Sequence, residues 1–350
     1  METFRYKTET EWKEMNSREF TSDIKTTDDS VVLVCGSLIT GYGNSNSDFD
    51  IHVFNVEKPT IKKNDFAVND WIVNEHSEWV DLATFKPDQK MKGTWNFSDK
   101  YKSALDVRYW TFDEFTETLA EYQERYKSAC VDLGFIRTPQ LMLYGIGDST
   151  ALAKIFQGVC IRGHEKFSGI SSGFGLEHYC YLAYRYHAPT YDEFRDIAGA
   201  FLSRDYDNAL EFCRIYLELC AWSFSHILLN PNTNRKWIPM MVRNWPDNYQ
   251  SFSDRYIELY SRATDTTEKK ISYILDGVTL ADDIFRAAYI EQVTNPVFNK
   301  VEEVKVFWSN KLMGVNSEMT EQSKLEYDWY SRLFSDDFPS ADKLIEKHEV

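Results

Sequence analysis

Five consecutive apolar residues, Val31-Val32-Leu33-Val34-Cys35, run directly into Gly36-Ser37, and after a gap of ten residues Asp48-Phe49-Asp50 opens a second apolar stretch. A short run of small and branched apolar residues reads as a buried strand rather than an amphipathic helix. The glycine that ends it lets the backbone turn, and residues 41–47, made of Gly, Tyr, Asn and Ser, have the composition of a loop. Beyond the loop Phe49, Ile51 and Val53 alternate with Asp48, Asp50 and His52, the pattern of a half-buried strand. Side chains alternate across a strand, so Asp48 and Asp50 share a face, about 7 Å apart at the backbone for a rise of roughly 3.3 Å per residue. Two carboxylates held this way suit hard divalent cations such as Mg²⁺. A pair of such ions roughly 4 Å apart can clamp both the attacking and the leaving oxygen of an in-line phosphoryl displacement. Gly36 and Ser37 supply the other half of the candidate site, because a closely approaching backbone, a hydroxyl and the start of a short helix can hold a phosphate.

The stretch VVLVCGSLITGYGNSNSDFDIHVF, residues 31–54, resembles the polymerase-β-like nucleotidyltransferase superfamily, whose signature is an apolar strand, Gly-Ser, a spacer, and Asp-x-Asp flanked by apolar residues. Every signature position is present. The resemblance implies an α+β fold: a nucleotidyltransferase-type mixed sheet with flanking helices, followed by a mostly helical domain. It also implies transfer of a nucleoside monophosphate, AMP from ATP being the expected donor reaction, to an acceptor hydroxyl with two Mg²⁺ ions. Members bring a third carboxylate from a neighbouring strand, and two residues compete for that place. Asp81, between Val80 and Leu82, follows the pair closely, as in smaller bacterial members, and is the favoured third metal ligand with Asp48 and Asp50. Asp106, in Leu105-Asp106-Val107-Arg108, lies on a later strand. Both stand beside Asp48 and Asp50 as candidate catalytic residues.

A weaker likeness, to small-molecule nucleotidyltransferases of the antibiotic-modifying type, extends into the second half. There Leu228-Leu229-Asn230-Pro231 and Arg235-Lys236-Trp237 look like the segment that presents a lysine to the triphosphate. Lys236 would then join Gly36 and Ser37 in nucleotide binding as a point cation. A loop lysine beside a packing tryptophan is the plainer reading of the same residues.

The rest of the chain sorts by hydrophobic period. Phe66–Val73 and Glu78–Phe85 read as a hairpin about the polar residues 74–77, and Ala104–Trp110 as a strand leading into a helix over 111–126. Leu210, Cys213, Leu217, Cys220, Phe224 and Leu228 recur at spacings of three and four and mark one face of a long helix. Shorter helices are expected at 175–186, 191–203, 252–262 and 280–293. This divides the 350 residues into a catalytic domain at 1–135 and a helical domain at 136–350. Gly169–Gly175 lacks the Gly-Lys-Ser/Thr ending of a phosphate loop and reads as a flexible loop. Among the histidines, His52 falls on the Asp48/Asp50 face; His164, His178, His187 and His226 show no metal-ligand spacing. The tyrosines 179, 181, 184 and 186 read as packing.

A net charge of −16 with no dense Lys/Arg tract argues against nucleic acid as a partner, since Lys62-Lys63 and Lys269-Lys270 release few counterions. The expected acceptor is a small molecule, and a cationic one such as an aminoglycoside fits the charge. Residues 1–29 contain no apolar run of signal or membrane length, so a cytoplasmic protein without a membrane partner is expected. The six cysteines include no CxxC pair and read as reduced core residues. The alternative function is a catalytically inactive binding or regulatory module on the same fold, or an enzyme acting on a protein or an RNA end.

Overall fold

The computed structural model describes residues 2–8, 11–61, 70–80, 89–131, 146–232, 234–291 and 341–346, with Leu325 and Trp329. It is a mixed α+β structure in two compact units. One comprises the described residues of Met1–Glu124 and Tyr144–Leu176, the other those of Arg125–Leu143 and Glu177–Val350.

The first unit is built on a six-stranded mixed sheet. Its strands are β3 (Val31–Cys35), β4 (Phe49–Asn55), β5 (Trp71–Asn74), β6 (Met91–Ser98), β7 (Ser103–Thr111) and β8 (Val159–Arg162), in the order β5-β6-β7-β4-β3-β8. Only the β4–β7 pairing is parallel; the others are antiparallel. A separate hairpin, β1 (Thr3–Thr8) and β2 (Glu11–Asn16), leads into the short helix α1 (Ser17–Ser22). Flanking helices are α2 (Ser37–Thr40), α3 (Phe112–Val131), whose residues from Arg125 on count with the second unit, α4 (Ile146–Gln157) and α5 (His164–Ile170).

Both faces of the sheet are covered at its centre. On one, Val32, Val34, Phe49, Ile51, Val53, Leu105 and Val107 pack with Phe4 of the hairpin, Phe20 of α1 and Ile24 just beyond it. On the other, Phe54 and Trp110 pack against Phe115 of α3 and Phe167 of α5. All seven residues of β4 are therefore buried, where the alternating sequence suggests a strand with one wet face. The polar residues of β4 lie in protein, and each needs a partner there.

The structure departs from the sequence reading at three further points. Residues 146–176, expected in the helical half, belong with the sheet: α4 abuts β3, and β8 extends the sheet beyond it. Gly158 makes the link possible, because a Cβ there would lie 2.5 Å from the Cys35 sulfur. Strand β6 pairs with both β5 and β7, although MKGTWNFS has no apolar run to announce it. The expected hairpin keeps its turn, with Val73 bridging Trp79 and Ser77 at a positive φ; its outer parts, 66–69 and 81–85, lie outside the described residues. Gly169–Gly175 is not a loop throughout, since α5 runs to Ile170 and a helical turn covers Ser171–Gly173.

The second unit is helical. Its helices are α6 (Leu176–His187), α7 (Tyr191–Leu202), α8 (Tyr206–Ile227), α9 (Ile238–Arg243), α10 (Gln250–Ser261), α11 (Thr267–Glu291) and α12 (Ala341–Glu346). Helix α8 carries the expected stripe, with Leu210, Cys213, Leu217, Cys220 and Phe224 buried, and packs against α7 and α11. Tyr179, Tyr181 and Tyr184 are core residues, as their spacing suggests, and Trp329 stacks on Phe285. No disulfide joins the six cysteines, all of which lie among the described residues. No described helix is long and apolar enough to cross a membrane.

Phe20 ties α1 to the sheet through ring contacts with Phe4, Phe49 and Tyr101 and is fully buried. Phe20→Ala is expected to cost about 3–5 kcal/mol of unfolding free energy in urea titration. A loss below about 1 kcal/mol would mean that the hairpin and α1 are not part of the cooperative core.

Candidate active site

Strand β3 ends at Cys35, whose register partner on β4 is Asp50. Gly36 then turns the chain at φ 83° and caps α2. No other residue type fits: a Cβ at position 36 would lie 1.8 Å from Asp50 Oδ2, and the positive φ is itself strained for side-chain-bearing residues. Gly36 of the sequence signature is therefore required by the carboxylate it faces. After Gly36 the carbonyl of Ser37 accepts from both the Tyr42 and the Gly43 N–H, so the loop folds back tightly before Asp48.

Three carboxylates meet at this turn. Asp48 precedes β4, Asp50 lies within it, and Asp106 on the parallel neighbour β7 is in register with Asp50. One oxygen from each of the three lies within 4.8 Å of the others. Asp106 thus takes the third position among the described residues, while Asp81, favoured from the sequence, lies outside them.

A lysine that sequence reasoning missed completes the cluster. Lys154 of α4 places its Nζ 2.6 Å from Asp50 Oδ1. It comes from a helix 104 residues further along the chain, and no local motif marks it. Its neighbours Ala151, Leu152, Ala153 and Ile155 are buried and fix the helix so that the side chain reaches the carboxylates.

Electrostatics follow from burial and crowding. Burial, and then the Asp50 charge, push the Asp106 carboxyl from 3.8 up to about 6, against the opposing pull of Lys154 and Arg108. For Lys154, burial works against the charge, but Asp50, with Asp106 and Asp48 behind it, raises the ammonium above its ordinary value. His52 lies on the same face of β4 and is fully enclosed. Burial first, and the Arg108 and Lys154 charges second, hold it well below the usual imidazole range, so it is neutral. Its Nδ1 accepts from the Trp110 indole at 3.0 Å, and the Arg108 guanidinium lies 4.3 Å from the Trp110 ring centroid.

The remaining sequence candidate, Lys236, lies in the helical unit. It sits in a helical turn with its Nζ 5.0 Å from the centroid of Trp237, lining a concavity of about 420 Å³ with Glu218, Arg235 and Tyr256.

The raised Asp106 carboxyl has a definite consequence for stability. Between pH 3.8 and about 6 the folded protein keeps a proton at Asp106 that the unfolded chain has released. Stability from this group is therefore full below the lower value and is lost as pH rises through the upper one. In metal-free buffer, Asp106→Asn should raise the melting temperature at pH 7.5 and change it far less at pH 4, measured by scanning calorimetry. An equal change at both pH values would contradict the assignment of a crowded, desolvated carboxylate.

No protein-family model matches this chain, and no curated protein matches it.

Proposed function

We propose that the chain is a nucleotidyltransferase that moves a nucleoside monophosphate, AMP from ATP by preference, to a hydroxyl of a small-molecule acceptor. The observation that carries this reading is the convergence of Asp48, Asp50 and Asp106 beside the Gly36-Ser37 turn. Three carboxylates with one ammonium against them are short of positive charge, and burial first, then the Asp50 charge, raises the Asp106 carboxyl. Oxygen donors so close together suit Mg²⁺, and Asp48, Asp50 and Asp106 would hold it. Bound there, the ion would supply charge neutralisation for the triphosphate and acidify the acceptor hydroxyl.

The chain's own groups then have separate tasks. The Gly36-Ser37 turn receives the phosphates, and the bare glycine keeps the Asp50 carboxylate directly beside them. Asp106 takes the proton of the acceptor hydroxyl. The freed oxygen forms a bond to the α-phosphorus as the bond to the bridging oxygen breaks, and pyrophosphate departs with that electron pair. Lys154 exchanges Asp50 for phosphate oxygen as charge accumulates there. His52, neutral and buried, maintains the packing behind Asp50 without adding charge.

The test is incubation with each labelled nucleoside triphosphate, Mg²⁺ or Mn²⁺, and a panel of hydroxylated acceptors, following pyrophosphate release. Asp50→Asn and Asp48→Asn are expected to lower transfer about a thousandfold while the fold persists, since each removes several kcal/mol of transition-state stabilisation. Lys154→Met should cost roughly tenfold or more through the lost phosphate contact. Retention of more than about a tenth of wild-type activity by Asp50→Asn would refute the reading.

A further inference from the structure

The sheet face that carries the aspartates continues past them. Register pairs Asp106 with Trp95 of β6, and Trp95 with Trp71 of β5. In the other direction it pairs Asp106 with Asp50, and Asp50 with Cys35. Residues directly opposed on neighbouring strands share a face, so Trp71, Trp95, Asp106, Asp50 and Cys35 form one row across five strands. At the Cys35 end stands the Gly36-Ser37 turn. At the other end the row is aromatic and open: Trp95 is 40% exposed and Trp71 56%. Trp79 meets Trp71 edge to face at 5.0 Å, and Phe97, 59% exposed, belongs to the same face through its pairing with Ala104.

Among the described residues, these aromatics lie outside the buried core. The neighbouring residue on β5, Ile72, points to the opposite face and is fully buried in the core. A contiguous patch of large aromatic side chains left in water marks a binding surface. Its position says for what. In-line displacement puts the attacking oxygen and the leaving group on opposite sides of the α-phosphorus. With the phosphates at the Gly36-Ser37 end and Asp106 taking the acceptor proton, the acceptor must extend the other way, over β6 and β5.

We propose that Trp95 and Trp71 form the shelf on which the acceptor lies, an inference that rests on the nucleotidyltransferase reading. Strand spacing puts Trp95 about 5 Å and Trp71 about 10 Å from Asp106 at the backbone, so the acceptor extends about that far from its reacting hydroxyl. Indole faces take flat or ring-shaped groups by stacking and cations through the ring quadrupole. On a chain of net charge −16, the fitting occupant is a ring-bearing, positively charged small molecule.

The probe is kanamycin A, a ring-bearing polycation, with the neutral sugar trehalose beside it. Protein labelled with 5-fluorotryptophan is observed by fluorine NMR, the signals of Trp71 and Trp95 being assigned with Trp71→Phe and Trp95→Phe. Kanamycin A is expected to shift both signals, less so at high salt, and trehalose to shift neither. In the transfer assay, Trp95→Ala and Trp71→Ala should each raise the KM for the acceptor about tenfold with the KM for ATP unchanged, Trp95→Phe should recover most of the loss, and Trp12→Ala, an exposed tryptophan on the hairpin, should behave as wild type. Silence of both signals at millimolar kanamycin A overturns the shelf whether or not transfer occurs, as does an unchanged acceptor KM in Trp95→Ala. Shifted signals without pyrophosphate release from wild type on any acceptor keep the shelf as a ligand site and sink the transferase reading.

Discussion

Three carboxylates forced together in a partly buried patch repel one another, and that repulsion is the constraint around which the sheet unit is arranged. In water such a cluster would disperse. Here Asp50 and Asp106 are fixed by parallel strands in register, and Asp48 by the tight loop that follows Gly36. Dispersal would mean breaking the β4–β7 pairing. What relieves the charge is the Lys154 ammonium on Asp50, and burial, with the Asp50 charge second, holds a proton at Asp106 to about pH 6. A site that raises a carboxyl in this way favours any divalent cation that can enter it.

The surrounding structure serves that arrangement. Gly36 leaves room for Asp50, and Gly158 brings α4 close enough to β3 for Lys154 to reach across. The aromatic layer of Phe54, Trp110, Phe115 and Phe167 seals the sheet behind His52. That layer keeps the patch dry on one side, where charge interactions are strongest. Beyond the seal the same sheet face opens at β6 and β5, and there its side chains become exposed tryptophans.

Where the chemistry is local in sequence, it was legible. An apolar run, a glycine and an i, i+2 carboxylate pair define β3, the turn and β4, because strand alternation fixes which side chains share a face. Asp106 could be named as a candidate, but its place beside Asp50 could not be read, since that depends on which strand lies beside β4. That pairing is parallel and joins segments more than fifty residues apart. Lys154 was invisible for the same reason, being brought in by α4 across a still longer separation, while Lys236 drew notice through a local likeness. Strand β6 escaped because Lys92, Gly93 and Asn96 interrupt its apolar residues, and the β1–β2 hairpin because TFRYKT and EWKEMN are mostly charged or polar. Each is held as a strand by its partners rather than by its own propensity. The helical unit was easier to read, because a 3.6-residue period repeats over many turns.

The most direct test of the account is Mn²⁺ binding, read as loss of the free-ion electron paramagnetic resonance signal on adding protein without nucleotide. Wild type should take up Mn²⁺, and Asp106→Asn should weaken that uptake by about tenfold or more, because a partly buried oxygen ligand is lost while the strand pairing remains. Uptake by Asp106→Asn equal to wild type would contradict the claim that Asp48, Asp50 and Asp106 act together as one cation site.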